Sequence, residues 1–279
     1  MTDQRPIGML DSGVGGLSVL REVRRTLPDE SVIYVADHAH LPYGPRSQDE
    51  IRTFVVGIAH FLLERECKLL IIACNAANAA ALHHLRSVFP DIPVIGMEPA
   101  IKPAAAATRT GVIGVITTQA TFQGELFASV IDRFANGIRV ETQVCPQLVA
   151  LAEAGAPDSP EARAIIARDL APLRDAGIDQ LVLGCTHFPF LAPLLAEYLG
   201  PGVSIVDPAP AVARQARRVL ESRDALSEPH AAGKDASVRY VTTGDPSRFA
   251  TALAALLDVH GAEILAAQWE GGLLRLVAQ

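Results

Sequence analysis

Two cysteines stand at the ends of short apolar runs and are followed directly by polar residues. Cys74 closes one run and precedes Asn75, whereas Cys185 closes another and precedes Thr186. A cysteine thiolate is a base, and the backbone N–H groups at the start of a helix favour the thiolate over the thiol. Two such thiols on opposite walls of a cleft can remove a proton from one face of a carbon acid and return one to the other face. This pair therefore predicts chemistry that inverts a stereocentre.

The two thiols need polar neighbours, because a reversible proton transfer requires one thiolate and one thiol at the same time. Near the first thiol the candidate neighbours are Asp11 and Asn75. Near the second thiol they are Thr186, His187 and Glu153. We expect these side chains to decide which of the two thiols holds the proton.

A metal site is an alternative use of the same side chains. Zinc could be held by Cys74, Cys185 and His187 together with either His38 or His40. However, the sequence contains no Cys-x-x-Cys or His-x-x-x-His spacing that would support such a site. We therefore expect neither a metal nor a cofactor.

The glycine-rich run at residues 11–16 predicts a tight turn between a strand and a helix. It lacks the Lys-Ser/Thr pair of a P-loop, and Ser18 stands where a Gly-x-Gly-x-x-Gly fingerprint needs its third glycine. Backbone N–H groups in such a turn can equally hold a carboxylate. The run therefore favours a carboxylate over a nucleotide.

The fold class follows from the two apolar runs and from the rest of the chain. Each run is too short for a helix and too apolar for a strand with one wet face, so each predicts a central strand of a parallel sheet. Strands alternate with helices along the whole sequence, which is typical of an α/β fold. Positions 74 and 185 lie 111 residues apart, about one small domain. We therefore expect two related, doubly wound α/β domains with parallel sheets, each presenting one thiol to a shared interdomain cleft.

Composition limits the partners and the compartment. The chain of 279 residues is 49% hydrophobic and carries 24 basic against 31 acidic residues, a formal charge of -7. No dense Lys/Arg run is present, so nucleic acid is not an expected partner. No apolar stretch reaches the roughly 18 residues that a membrane-spanning helix needs, so no membrane partner is expected either. Four scattered cysteines and the absence of a signal peptide predict a reducing cytoplasm.

Five motifs in collinear order resemble those of glutamate racemases, in the cofactor-independent aspartate/glutamate racemase superfamily. They are Asp-Ser-Gly-Val-Gly-Gly-Leu at residues 11–17, Leu-Pro-Tyr-Gly-Pro at 41–45, Ala-Cys-Asn at 73–75, Leu-Gly-Cys-Thr-His-Phe-Pro at 183–189 and Thr-Thr-Gly-Asp-Pro at 242–246. The resemblance covers about residues 6–257. It implies interconversion of L- and D-glutamate, supplying D-glutamate for peptidoglycan. It also implies a homodimer and two domains of pseudo-twofold symmetry, one of residues 1–98 plus 208–279 and one of residues 99–207.

The resemblance also implies a role for each matching residue. Cys74 and Cys185 would be the two proton donors and acceptors, assisted by Asp11, Glu153 and His187 as further catalytic residues. The substrate-binding residues would be Asp11, Ser12, Tyr43, Gly44, Asn75, Ala76, Thr118, Thr121, Thr186 and His187.

Some positions depart from the family pattern. Where the family reads Cys-Asn-Thr-Ala-Ser, this chain has Ala76 and Asn78 in place of the two hydroxyl residues. A hydroxyl expected on the substrate is therefore missing, which favours as an alternative a racemase of aspartate or another small amino acid. His38 and His40 stand where the resemblance predicts Thr and Arg or Lys. Because the chain begins near its first strand, we expect no activator dependence of the kind linked to a long N-terminal extension.

Two alternatives of other classes remain at this stage. One is a non-catalytic, two-lobed protein that binds a dicarboxylate in the cleft, although the presence of both thiols argues against it. The other is a secondary interaction with a nucleic-acid enzyme, for which the acidic charge gives no support.

Overall fold

Strands and helices alternate through residues 2–155, 158–229 and 236–277, which are the residues that the computed structural model describes. The strands are β1 (Ile7–Asp11), β2 (Val32–Ala36), β3 (Leu69–Ile72), β4 (Val94–Ile95), β5 (Val112–Thr117), β6 (Arg139–Val144), β7 (Gln180–Gly184), β8 (Ser204–Val206), β9 (Val238–Thr242), β10 (Ile264–Glu270) and β11 (Leu273–Leu276). The helices are α1 (Leu17–Thr26), α2 (Gln48–Leu63), α3 (Asn75–Val88), α4 (Ile101–Ala107), α5 (Gln119–Phe122), α6 (Glu125–Phe134), α7 (Pro146–Glu153), α8 (Pro160–Asp175), α9 (Ala192–Leu199), α10 (Ala209–Ser222) and α11 (Pro246–Leu257), with a 3₁₀ turn at Phe188–Leu191.

The strands form two sheets. The larger sheet has the order β11-β10-β9-β2-β1-β3-β4, and the smaller has the order β6-β5-β7-β8. The pairings of β1 to β9 are parallel throughout the described ranges. The order β2-β1-β3-β4 in the first sheet matches β6-β5-β7-β8 in the second, so each half repeats the same doubly wound core. The predicted α/β fold with parallel sheets is confirmed.

The chain passes between the sheets twice, once after β4 and once after β8. The second sheet is thus inserted into the first half. The domain boundaries at 98/99 and 207/208 stay a prediction from the resemblance.

The central strands of both sheets are buried because helices cover their faces. All residues of β1, β3 and β7 are buried, as expected of predominantly apolar central strands of parallel sheets. Two apolar clusters lie against the first sheet and two against the second. No helix in the described ranges has the length and the apolar character needed to cross a membrane.

The C-terminal hairpin was not predicted. β10 and β11 pair antiparallel at the edge of the first sheet, joined by Gly271 and Gly272 at φ values of +56° and +82°. A two-residue turn with both φ values positive suits a hairpin, so the Gly-Gly pair was the available signal. The indole N–H of Trp269 on β10 donates to Asp37 Oδ1 at 2.8 Å, which fixes the hairpin to the loop after β2.

Gly57 on α2 tests this docking of the hairpin. A Cβ at this position would lie 2.5 Å from Trp269 Cζ3 and 2.6 Å from the carbonyl oxygen of Gly272. We expect Gly57→Ala to lower the free energy of unfolding by about 1–3 kcal/mol, although alanine is the better helix former by about 1 kcal/mol. Urea unfolding followed by circular dichroism measures this difference.

The matched control is Gly202→Ala, since a Cβ there has no neighbour within 4 Å. We expect that variant to unfold at nearly the wild-type urea concentration. If Gly57→Ala were equally neutral, the hairpin would not pack on α2.

Candidate active site

A cavity of about 480 Å³ lies between residues that follow strands of both sheets. One side is formed by Ser12, Tyr43, Gly44, Cys74, Asn75 and Ala76, which follow β1, β2 and β3. The other side includes Thr118, Cys185 and His187, which follow β5 and β7. The carboxyl ends of parallel strands are where α/β folds bind ligands, so both thiols reach this cavity for the predicted topological reason.

Four of the predicted site residues lie behind the cavity lining. Asp11 is buried, and its Oδ2 accepts hydrogen bonds from two backbone N–H groups of the glycine-rich loop, both at 3.0 Å. The hydroxyl of Thr121 lies 3.1 Å from that of the lining residue Thr118. Thr186 and Glu153 flank His187 in the second half. These four side chains therefore support the residues that face the cavity.

Part of the lining was missed by sequence reasoning. Gln119, Val144, Pro146 and Val149 also face the cavity, after β5 and β6. Their signal was positional, because the carboxyl end of every strand in the second sheet points toward the same edge. None of the four is a residue type that by itself indicates catalysis, and Val144, Pro146 and Val149 make this side of the cavity apolar.

Cys74 is the cap residue that precedes α3, and it is 5% exposed. Burial raises the pKa of the Cys74 thiol well above its ordinary value, and the nearby Asp11 charge adds to this. The Ala77 backbone N–H and the Ser12 hydroxyl, 3.8 Å from Sγ, oppose the rise without cancelling it. The start of the helix lowers this pKa as expected, but desolvation outweighs it, so the net shift favours the thiol.

Cys185 stands at the end of a chain of polar contacts. Its Sγ lies 3.5 Å from His187 Nδ1, and His187 Nε2 lies 2.6 Å from Glu153 Oε1. Burial lowers the pKa of His187, but the adjacent Cys185 and the Glu153 carboxylate outweigh it and raise that pKa well above its ordinary value. The second thiol therefore has a charged imidazole beside it, whereas the first has none.

Glu153 also reaches the glycine-rich loop. Burial raises the pKa of Glu153, but contacts with His187 and His38 and the Val14 N–H bond hold it well below its ordinary value. Val14 N–H donates to Oε1 at 2.9 Å, and a Cβ at Gly13 would overlap that oxygen. The loop N–H groups thus bind carboxylates of the protein itself, and glycine is needed where Glu153 approaches.

Tyr43 lines the cavity, and its ring is more available to a ligand than its hydroxyl. The hydroxyl donates to Asp37 Oδ2 at 2.7 Å, and burial together with the Asp37 charge raises the pKa of Tyr43 well above its ordinary value.

The side-chain amide of Asn78 is hydrogen-bonded within the protein and does not serve the cavity. Its amide donates to Met97 O at 2.6 Å and accepts from Met97 N–H at 3.0 Å, so it does not replace the hydroxyl absent at Ala76.

Several buried polar atoms at the site lack a hydrogen-bond partner within the described part of the chain. They are Asp11 Oδ1, both amide atoms of Asn75, and Thr186 Oγ1. Elsewhere in these ranges only Asp169 Oδ2 shares this condition. Because unpaired buried polar atoms cost free energy, their grouping around one cavity indicates a polar ligand.

The zinc alternative finds no support in the geometry. Across residues 2–155, 158–229 and 236–277, no group of three or more His, Cys, Asp or Glu side chains is arranged to hold a metal ion. His40 is turned away from the thiols, with Nδ1 2.8 Å from Asp37 Oδ2 and its ring stacked on Phe54.

Known proteins resemble this chain in sequence and in fold. A family model described as Asp/Glu/Hydantoin racemase matches residues 7–216. A glutamate racemase of Roseiflexus sp. (strain RS-1) is 49% identical over 252 residues, covering 90% of this chain and 92% of the relative. A glutamate racemase of Pseudomonas entomophila (strain L48) is 50% identical over 241 residues, covering 86% and 89%.

Solved structures give the same picture. Glutamate racemase isoform RacE1 from Bacillus anthracis has a TM-score of 0.86 at 33% identity, covering 97% of this chain and 99% of that one. The Escherichia coli glutamate racemase in complex with L-glutamate and the activator UDP-MurNAc-ala has a TM-score of 0.81 at 35% identity, covering 98% and 100%.

Asn75 tests whether the unpartnered atoms await a ligand. Leucine has nearly the same shape as asparagine and no polar atoms, so Asn75→Leu removes two unpaired groups. We expect this variant to raise the free energy of unfolding of the ligand-free protein by about 1 kcal/mol. Urea unfolding without ligand measures the change.

Asn78→Leu is the matched control on the same helix. Because this substitution removes the hydrogen-bond partners of the Met97 N–H and carbonyl groups, we expect the free energy of unfolding to fall by about 2 kcal/mol or more. A similar loss for Asn75→Leu would mean that the Asn75 amide serves the fold and not a ligand.

Proposed function

Because the chain belongs to the Asp/Glu/Hydantoin racemase family, we propose that it interconverts L- and D-glutamate by moving the α-proton between Cys74 and Cys185. The observation that carries the proposal is the cavity itself. It has a thiol on each side, and around it lie the unpartnered polar atoms of Asn75, Asp11 and Thr186. A free amino acid has a carboxylate, an ammonium group and a carbon acid between them, which matches such a cavity.

The Cys185 side is suited to take the first proton. Cys185 acts as the thiolate, whose charge the imidazolium of His187 at 3.5 Å balances. When Sγ takes the α-proton it becomes a thiol, and the electron pair of the broken C–H bond stays on the α-carbon as a carbanion. Glu153 in turn holds His187 in the charged form, since its carboxylate lies 2.6 Å from Nε2. The carboxylate orients and charges the imidazole without itself exchanging a proton.

The Cys74 side is suited to deliver the second proton. Its raised pKa keeps the thiol protonated while the cleft is empty, so a proton is available on the opposite face of the substrate. After delivery, Cys74 is the thiolate and the proton taken from the substrate stays on the Cys185 side. The reverse reaction begins from this second form, so one cleft serves both directions.

The carbanion that forms between the two steps needs stabilisation at the α-carboxylate. The start of α3 provides it, because Cys74, Asn75 and Ala76 bring the positive end of the helix to the cavity. The Asn75 amide, which lines the cavity, is a further donor without a protein partner among the described residues. Donors fixed before the reaction stabilise developing charge most effectively.

Glutamate is the proposed substrate because the relatives at about half identity carry that name. Ala76 lines the cavity without offering a hydroxyl, so a shorter amino acid such as aspartate remains the rival substrate. As the biological role we propose supply of D-glutamate for peptidoglycan in the cytoplasm, where the four free cysteines of the described chain would stay reduced. Assembly as a homodimer is a prediction from the resemblance alone.

Circular dichroism of L-glutamate solutions tests the proposal, with no cofactor added. We expect the wild-type protein to bring the optical signal to zero. Removing either Cys74 or Cys185 by substitution with alanine should slow this decay by about 10²–10⁴-fold, because each variant lacks one of the two proton-transfer groups.

Cys67→Ala is the control, since Cys67 lies in the apolar cluster of the first half and away from the cavity. We expect it to racemise glutamate at the wild-type rate. Faster wild-type decay with L-aspartate would move the assignment to that substrate. Full activity in a Cys74→Ala or Cys185→Ala variant would overturn the two-thiol mechanism, and no decay with either amino acid would favour a binding protein.

A further inference from the structure

His38 and the Thr-Thr-Gly-Asp-Pro run at residues 242–246 have no part in the mechanism above. Residues of this run hold the His38 side chain in one position. His38 Nδ1 lies 2.7 Å from the hydroxyl of Thr242, which also accepts the Gly244 N–H at 3.0 Å. The His38 ring packs edge-on against Phe249, with centroids 5.3 Å apart. A Cβ at Gly244 would lie 2.6 Å from His38 Cβ, so glycine leaves the space that the histidine occupies.

The other nitrogen of His38 points to the site carboxylate. His38 Nε2 lies 3.6 Å from Glu153 Oε2, while His187 Nε2 and the Val14 N–H both contact Oε1. One carboxylate therefore lies between two histidines, one on each oxygen. Through His187, the contact chain continues from His38 to the thiol of Cys185.

We propose that His38 is a positioning residue for the second thiol. By holding Glu153 Oε2, it keeps Oε1 directed at His187, and His187 in turn stays charged against Cys185. The effect of this positioning on turnover rests on the function proposed above, whereas its effect on the Cys185 thiol does not. Thr242 and Gly244 would then matter because they hold the His38 side chain in place.

The surroundings of Glu153 explain why a second anchor is needed. The side chain is 17% exposed and borders another cavity, of about 360 Å³, that His38 also lines. Arg248 faces the same cavity, and its guanidinium can draw the carboxylate away from His187. Oε2 lies 3.6 Å from His38 Nε2, so without His38 we expect this oxygen to turn toward the cavity.

Two substitutions of His38 separate positioning from packing. In His38→Gln the side-chain amide nitrogen falls near the former Nε2 and can donate to Glu153. In His38→Asn it falls near the former Nδ1, so it keeps the contact with Thr242 and loses the one with Glu153. The two variants are therefore matched in chemistry and differ in which end of the contact chain they preserve.

The readout is the rate of iodoacetamide alkylation of each thiol as a function of pH, resolved by mass spectrometry of peptides. The thiolate is the reacting form, so the rate reports how readily each cysteine loses its proton. In His38→Asn we expect Cys185 to react roughly tenfold more slowly near pH 7.5, with its half-maximal rate moved to higher pH. In His38→Gln we expect a change below about threefold, and in both variants an unchanged rate at Cys74.

The outcomes distinguish this proposal from the proposed function, because alkylation needs no substrate. Equal effects of the two variants on Cys185, equal effects on both thiols, or an unchanged Cys185 in His38→Asn would each overturn the positioning role. If the thiol effects are found in a protein that does not racemise glutamate, the positioning role stands and the function falls. In an active protein, His38→Asn should lower kcat and leave KM within about twofold.

Discussion

One carboxylate oxygen joins the two halves of the site. Glu153 Oε1 accepts the Val14 N–H from the loop after β1 and contacts His187 after β7. A second link runs beside it, where the Ser18 hydroxyl donates to the carbonyl of Thr186. The glycine-rich loop is shaped by this closeness, because side chains at Gly13 or Gly15 would overlap Glu153 or His187. These contacts link the halves that place Cys74 and Cys185 at one cavity.

The two thiols are alike in topology and different in electrostatics. Each follows the third strand of its half, but Asp11 lies near one and a charged imidazole lies beside the other. Burial and the Asp11 charge raise the pKa of the Cys74 thiol, whereas Cys185 Sγ lies 3.5 Å from the imidazole of His187. In the proposed mechanism, a carbon acid held between them meets a proton donor on one face and a base on the other. The repeated fold supplies the two positions, and different side chains at the strand ends of the two halves supply the asymmetry.

Sequence reasoning succeeded where local pattern decides the outcome. The apolar runs predicted the buried strands, and the ends of those strands predicted the edge of the sheet where the site lies. The resemblance to racemases was confirmed by the family model. It failed where distant contacts decide. The desolvation of Cys74 and the His38 contact with Glu153 both depend on side chains far apart in the chain. No periodicity or motif carries such information, because burial and charge at a site are properties of the folded molecule.

The most direct test of the two-thiol account is the position of deuterium early in a reaction of L-glutamate in D₂O. The enantiomers are separated by chiral chromatography, and the α-carbon isotope of each is measured by mass spectrometry. If two groups act on opposite faces, D-glutamate carries deuterium from its first appearance while the remaining L-glutamate keeps its proton. Deuterium entering unreacted L-glutamate as fast as D-glutamate forms would mean that a single group serves both faces, contradicting the account.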